Sequence, residues 1–129
     1  MTIEHQKRMI LQTGPFTPPD SLLQDLETID GIKLSVQRLG ASFRGGGVAT
    51  FITVTTNNTD IAPLAEAIYQ HTKRLKSKGG DDLIILLGGE INTDAEEIAF
   101  RDVWCRRQIS FKGKSQDEIR RIVLERDVD

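Results

Sequence analysis

The chain has 129 residues, 38% of them hydrophobic and 28% charged, with a formal net charge of −2. That length suits one domain, residues 1–129, able to bury roughly two-thirds of the surface its unfolded chain exposes. The slightly acidic balance, with a pI of about 5.7, excludes a surface that attracts nucleic acid everywhere and leaves room only for a local basic patch.

The single cysteine, Cys105, excludes an intrachain disulfide and a cysteine-rich zinc site. Charges scattered through "MTIEHQKRMILQ" interrupt the apolar run a leader peptide needs, so a cytoplasmic location is expected. No stretch approaches the roughly 20 apolar residues of a membrane span, and no membrane partner is expected.

In chain order, "QKRMILQTG" reads as a strand and "PPDSLLQDLETIDG" as a helix. Asp20 or Ser21 can cap that helix, Leu22, Leu23, Leu26 and Ile29 share one face, and Gly31 ends it. "IKLSVQRLG" alternates, with Ile32, Leu34 and Val36 on one face and Lys33, Ser35 and Gln37 on the other, as in a half-buried strand. "VATFITVTTN" is rich in β-branched residues and predicts a strand.

"TDIAPLAEAIYQHTKRLKSKGG" predicts an amphipathic helix capped by Asp60, with Ile61, Leu64, Ala65, Ile68 and Leu75 as its apolar stripe. Its cations Lys73, Arg74, Lys76 and Lys78 crowd the C-terminal end, where they complement the helix dipole. "DDLIILLGG" is a short continuous apolar run, the pattern of a strand buried on both faces, and "LGGE" reads as its exit turn.

The sum is β-α-β-β-α-β, which predicts an α+β fold with a ferredoxin-like βαββαβ core, a two-layer sandwich over about residues 5–90. A C-terminal β-hairpin/helix extension follows over about residues 91–129. Within it, "EEIAFRDV" and "RRQISFKGK" could pair as a β-hairpin, while "TDAEEIAFRDVWCRR" could instead be helical. Ser115 and Glu118 form a capping box ahead of a last helix with Ile119, Ile122 and Val123 on its apolar face.

The stretch "FRGGGVATF" can be read in two ways. It resembles the third-strand signature of RNA-recognition-motif domains, which have the same element order. Arg44, two of its glycines and Phe51 fall in register, but Gly46 and Val48 replace the base-stacking aromatics, and Ile10 stands where the first strand would carry another. Stacking contributes ~1–3 kcal/mol per base, so most of that family's affinity is missing. The favoured reading is a glycine hairpin loop feeding a strand. Along that strand Ala49 and Phe51 point one way and Val48, Ile52 and Val54 the other. The Val48, Ile52 and Val54 face needs a cover, either the C-terminal extension or a second protein.

Other candidates are ordinary. His71 sits near the apolar stripe, where a core-edge histidine is expected, and Cys105 shares a strand face with Val103 as a buried thiol. Asp94, Glu96 and Glu97 read as a solvated turn before they read as a cation site. Trp104, flanked by Asp102, Arg106 and Arg107, either seals the underside of the core or forms an interface, since Trp and Arg are enriched at binding hot spots.

"SLLQDLETIDGIKLSVQRLG", the glycine triplet, "IAPLAEAIYQHTKRLKSKGGDDLIILLGGE" and "ISFKGKSQDEIRRIV" together resemble the effector-associated constant components found beside bacterial conflict-system effectors. The resemblance spans most of the chain but departs at "VATFITVTT", which reads as a strand where that family often has a more helical or membrane-like segment. It implies a non-enzymatic adaptor in a defence system.

The expected function is therefore a protein-binding module, an adaptor or immunity-type component, with no cofactor, metal or catalytic set. Its partner-binding candidates are Phe43, Arg44, Trp104, Arg106 and Arg107, and its partner is another protein or a second copy. One alternative is nucleic-acid binding through Arg44, Lys73, Arg74, Lys76, Lys78, Arg106 and Arg107. Another is a small-ligand sensor or enzyme using His71 or the acidic cluster.

Overall fold

The computed structural model describes residues 7–14, 20–39, 49–57, 60–77 and 82–125. The described elements begin with β1 (Lys7–Thr13), α1 (Asp20–Glu27), β2 (Ile32–Leu39), β3 (Thr50–Thr56), α2 (Ala62–Ser77) and β4 (Leu83–Leu87). These four strands lie side by side in the order β2-β3-β1-β4, each antiparallel to its neighbour. The fold is α+β, with helices packed on a mostly antiparallel sheet.

Local chemistry sets the element ends. Gly31 takes a φ of 83°, the left-handed conformation that lets the chain turn from α1 into β2. The Asp60 carboxylate accepts from the Ala62 N–H at 3.0 Å and satisfies a donor that α2 leaves open. At α3 (Gln116–Leu124) the Glu118 N–H donates to Ser115 Oγ while the Ser115 N–H donates to Glu118 Oε1, both at 3.2 Å. These hydrogen bonds hold the Glu118 carboxyl below its ordinary pKa.

Cross-strand register sorts the sheet residues into two faces. Met9 lies opposite Val54, and Leu11 opposite Ile52 and Ile85. This face joins Leu22 and Leu26 of α1, Leu64, Ile68 and Leu75 of α2, and Ile119 and Val123 of α3 in the larger core. Ile52 and Val54 are thus covered by the helices, with the C-terminal helix α3 packed beside α2 as part of that cover. Val48 lies outside the described residues. The C-terminal extension thus helps to cover Ile52 and Val54 as expected, and the face carrying Ala49 and Phe51 needs a second cover that the expectation did not include.

The residues after β4 supply that cover in an arrangement that the sequence reading did not anticipate. They form β5 (Glu90–Ile91), β6 (Glu97–Ile98), a single 3-10 turn (Phe100–Asp102), β7 (Val103–Trp104) and β8 (Arg107–Ser110). "EEIAFRDV" and "RRQISFKGK" do not pair with each other, and "TDAEEIAFRDVWCRR" forms no α-helix. Instead β8 adds antiparallel to β4, β7 pairs with β5, and β6 adds parallel to β2 at the far edge. The sheet order becomes β6-β2-β3-β1-β4-β8.

The pairs Leu87↔Arg107 and Glu90↔Trp104 keep one register, so β4–β5 and β7–β8 form one hairpin interrupted at Gly88–Gly89 and Cys105–Arg106. Both glycines are needed at that interruption. Gly88 has a φ of 63°, and a Cβ on Gly89 would meet the Leu86 carbonyl at 2.9 Å and the Ile10 side chain at 3.1 Å. From β4 to β6 the chain crosses β1, β3 and β2, roughly 19 Å at the usual strand spacing.

Candidate functional site

Residues 90–104 form an arm that folds over part of the second sheet face. Ile91, Ile98, Val103 and Cys105 pack with Ile10, Leu39, Ala49, Phe51, Ile84 and Leu86 in a second, smaller core. Ile98 is 4% exposed, Phe51 2% and Ile10 2%. Burying each such side chain contributes about 1.5–3 kcal/mol relative to leaving it in water. Cys105 is half-buried beside Val103, as the strand spacing suggested.

Gln37 fastens the arm. It lies opposite Phe51 in the sheet and is 6% exposed, although the alternation of β2 had placed it on the solvent side with Lys33 and Ser35. Its Nε2 donates to the Thr93 carbonyl at 2.7 Å and to the Ala95 carbonyl at 2.8 Å. The Arg38 N–H adds a bond to the Glu96 carbonyl at 2.7 Å. Inside the arm, the Asn92 N–H donates to Asp102 O at 2.8 Å, and the Ala99 N–H donates to Asp102 Oδ2 at 2.9 Å. Lys33 and Ser35, further along the same face, stay exposed.

Because Ile91 and Val103 point into the second core, their neighbours Glu90 and Trp104, directly opposite each other, point outward. Trp104 is 55% exposed, so it does not seal the underside of the core. Phe100, in the 3-10 turn, is 57% exposed. Glu90, Asp94, Glu96 and Glu97 are exposed on the same arm. Among the described residues no group of three or more His, Cys, Asp or Glu could hold a metal ion; Asp94 and Glu96 lie exposed in the chain leading to β6, and Glu97 is exposed within β6 rather than in a turn.

Of the remaining partner-binding candidates, Arg106 and Arg107 take different places. Arg106 lies at the hairpin interruption, with its stem against Gly88, and its N–H donates to the Leu87 carbonyl at 3.0 Å. Arg107 instead lines a groove of about 450 Å³ between β8 and α3, together with Leu87, Ile109, Lys114, Ile122 and Glu125. Phe43 and Arg44 lie outside the described residues.

Of the cations expected to meet nucleic acid, Lys73 and Arg74 lie apart from Arg106 and Arg107. Arg74 on α2 pairs with Asp25 of α1 at 2.8 Å, and Lys73 Nζ sits 5.4 Å from the Tyr69 ring centroid. Both belong to the helical layer, away from the arm. Arg44, Lys78 and the Lys76 side chain fall outside the described set.

His71 is enclosed on α2 at 2% exposure, and its Nδ1 has no hydrogen-bond partner among the described residues. Burial, and then the Arg74 guanidinium, lower its pKa to about 4, against the opposing pull of the Asp25 carboxylate. The imidazole is therefore neutral near pH 7 and sits in the helical layer.

Gln37, Glu90 and Phe100 were missed as site residues. None left a trace in the sequence, since Glu90 meets Trp104 only through the β4–β8 register carried past the glycine pair. No protein-family model, curated protein or solved structure matches this chain. Among the described residues no helix is long and apolar enough to cross a membrane.

Proposed function

We propose that this chain is a non-enzymatic protein-binding module, carried on a ferredoxin-like βαββαβ core and acting in the cytoplasm as an adaptor or immunity-type component of a bacterial conflict system. The β2-β3-β1-β4 order, with every neighbour antiparallel, supports the core assignment. The conflict-system setting rests on the sequence resemblance alone. The observation that carries the binding role is Trp104, a large aromatic left 55% exposed on an arm whose other face packs on the second core. Large side chains of this type dominate binding energy at protein interfaces.

The test is site-specific photocrosslinking. A photoreactive benzoylphenylalanine replaces Trp104 in the native host, and a matched variant carries it at Glu27, an exposed position on α1. The module reading expects a discrete protein adduct from position 104 and none from position 27. Irradiation that yields no adduct at 104 would overturn it.

A further inference from the structure

The arm differs in charge from the rest of the chain. Across residues 90–104 it carries Glu90, Asp94, Glu96, Glu97 and Asp102 against one cation, Arg101. The whole chain has 17 basic and 19 acidic residues, so the remainder carries a small positive excess. Asp102 spends one carboxylate oxygen on the Ala99 N–H, while the other four acids are exposed. Exposed carboxylates therefore lie near the most exposed aromatic residues of the described molecule, Phe100 and Trp104, although the Arg8 guanidinium donates to the Gly89 carbonyl at 3.3 Å beside Glu90 and Arg38 stands opposite Glu97.

The β5–β7 pairing adds geometry to this charge. Glu90 and Trp104 are direct cross-strand partners on the outward face, and such pairs hold their Cβ atoms ~4.5–5.5 Å apart. An indole face attracts a cation through its quadrupole, and a neighbouring carboxylate attracts the same cation by charge. A guanidinium serves both at once, because it is planar enough to stack on the ring and has donors at its edge for the carboxylate. Arg106 follows Trp104 by two residues with its stem laid along Gly88, so it and Arg8, which donates to the Gly89 carbonyl, are resident cations that flank the pair.

We infer that the outer face of the β5–β7 arm docks a cationic segment of a partner protein, with Trp104 and Glu90 together holding one arginine or lysine side chain. This rests on the protein-binding reading above and specifies the partner's chemistry. Glu96 and Glu97 add longer-range attraction that raises the rate of encounter and weakens with salt. The groove between β8 and α3 is a poorer candidate, since Arg107, Lys114 and Arg121 there alternate with Glu118 and Glu125 and select no charge.

The test uses the whole chain and a fluorescein-labelled nona-arginine peptide, followed by anisotropy at low ionic strength. Saturable binding is expected. Trp104→Ala and Glu90→Gln should each weaken it by roughly three- to ten-fold. Glu27→Gln, the same charge change on α1, should alter it by less than about 1.5-fold. Circular dichroism of each variant separates loss of binding from loss of fold.

Equal weakening by Glu90→Gln and Glu27→Gln would reduce the binding to non-specific charge attraction and overturn the inference. So would preference for a nona-glutamate peptide or a single-stranded oligonucleotide, or a light-scattering mass showing that a second copy occupies the arm. If position 104 crosslinks a protein in the host yet nona-arginine fails to distinguish the variants, the module stands and its cationic specificity falls.

Discussion

Replacing Gln37 by alanine should release the arm while leaving the sheet intact. The substitution removes the donors to the Thr93 and Ala95 carbonyls, bonds of 2.7 and 2.8 Å made beneath the arm. A net contribution of about 1 kcal/mol per bond gives about 2 kcal/mol, and a vacated space at a site 6% exposed raises the cost further. At 1.4 kcal/mol per tenfold change, the undocked population should grow by roughly 30-fold.

Amide hydrogen exchange reads this residue by residue. The N–H of Arg38, which donates to Glu96 O across the contact between β2 and the arm, should lose protection by about that factor, and those of Asn92 and Asp102, bonded within the arm, by no more than that. Amides within β1 and β3 should keep theirs. Gln37→Leu, which retains most of the volume, should restore little, because both carbonyls still lack a donor. Unchanged exchange at all three amides in Gln37→Ala would refute the reasoning, as would equal acceleration throughout the sheet, since the arm would then not open as a local unit.

His71 supplies a pH dependence with a defined sign. Its pKa falls from 6.5 to about 4 on folding, so between those values the unfolded chain binds more protons and stability declines as pH falls. The full loss is roughly 3 kcal/mol, and urea unfolding of His71→Leu should show a correspondingly flatter profile across that window. Ser115→Ala should cost about 1 kcal/mol, seen as a lower urea midpoint with an unchanged slope, because α3 loses its N-cap. Gly89→Ala should destabilise by about 1–2 kcal/mol in the same assay, since its new Cβ meets backbone at 2.9 Å rather than the end of a flexible side chain.

The four-strand core and its helices were legible because each element carried its own period and punctuation. Leu22 and Leu26 repeat at helical spacing, Asp60 and Ser115 announce their helices, and "LIILL" marks a doubly buried strand. The segment from Glu90 to Trp104 gave no comparable signal. Strands of two residues have no period, and β6 is defined only by a partner far away in sequence, at Arg38 and Leu39. Gln37 was misplaced for the opposite reason. Its strand alternates well, and alternation assigns a polar side chain to water unless something polar covers that face. The carbonyls that accept from it belong to a segment more than fifty residues later.

The cover for β3 was foreseen on the Ile52 and Val54 side, where α3 contributes to it, but not on the Ala49 and Phe51 side, where residues 90–105 supply it. A strand with apolar residues on both faces does not say which face meets the helices, and the register with Met9 and Leu11 decides it. Trp104 illustrates a further limit. Its type suggested either a core seal or an interface, and only pairing with Glu90 beside an inward-facing Val103 turns it outward.

The fold turns above all on the chain leaving β4 at Gly88–Gly89, crossing the second face and joining β2 on the far side of the sheet. A nuclear Overhauser experiment on methyl-labelled protein tests this directly, because Leu39 and Ile98 are register partners in the parallel β2–β6 pair. A methyl–methyl cross-peak between Leu39 and Ile98 is predicted, alongside the cross-peaks of the β1–β3 pair. Clear β1–β3 cross-peaks with none between Leu39 and Ile98 would contradict the account.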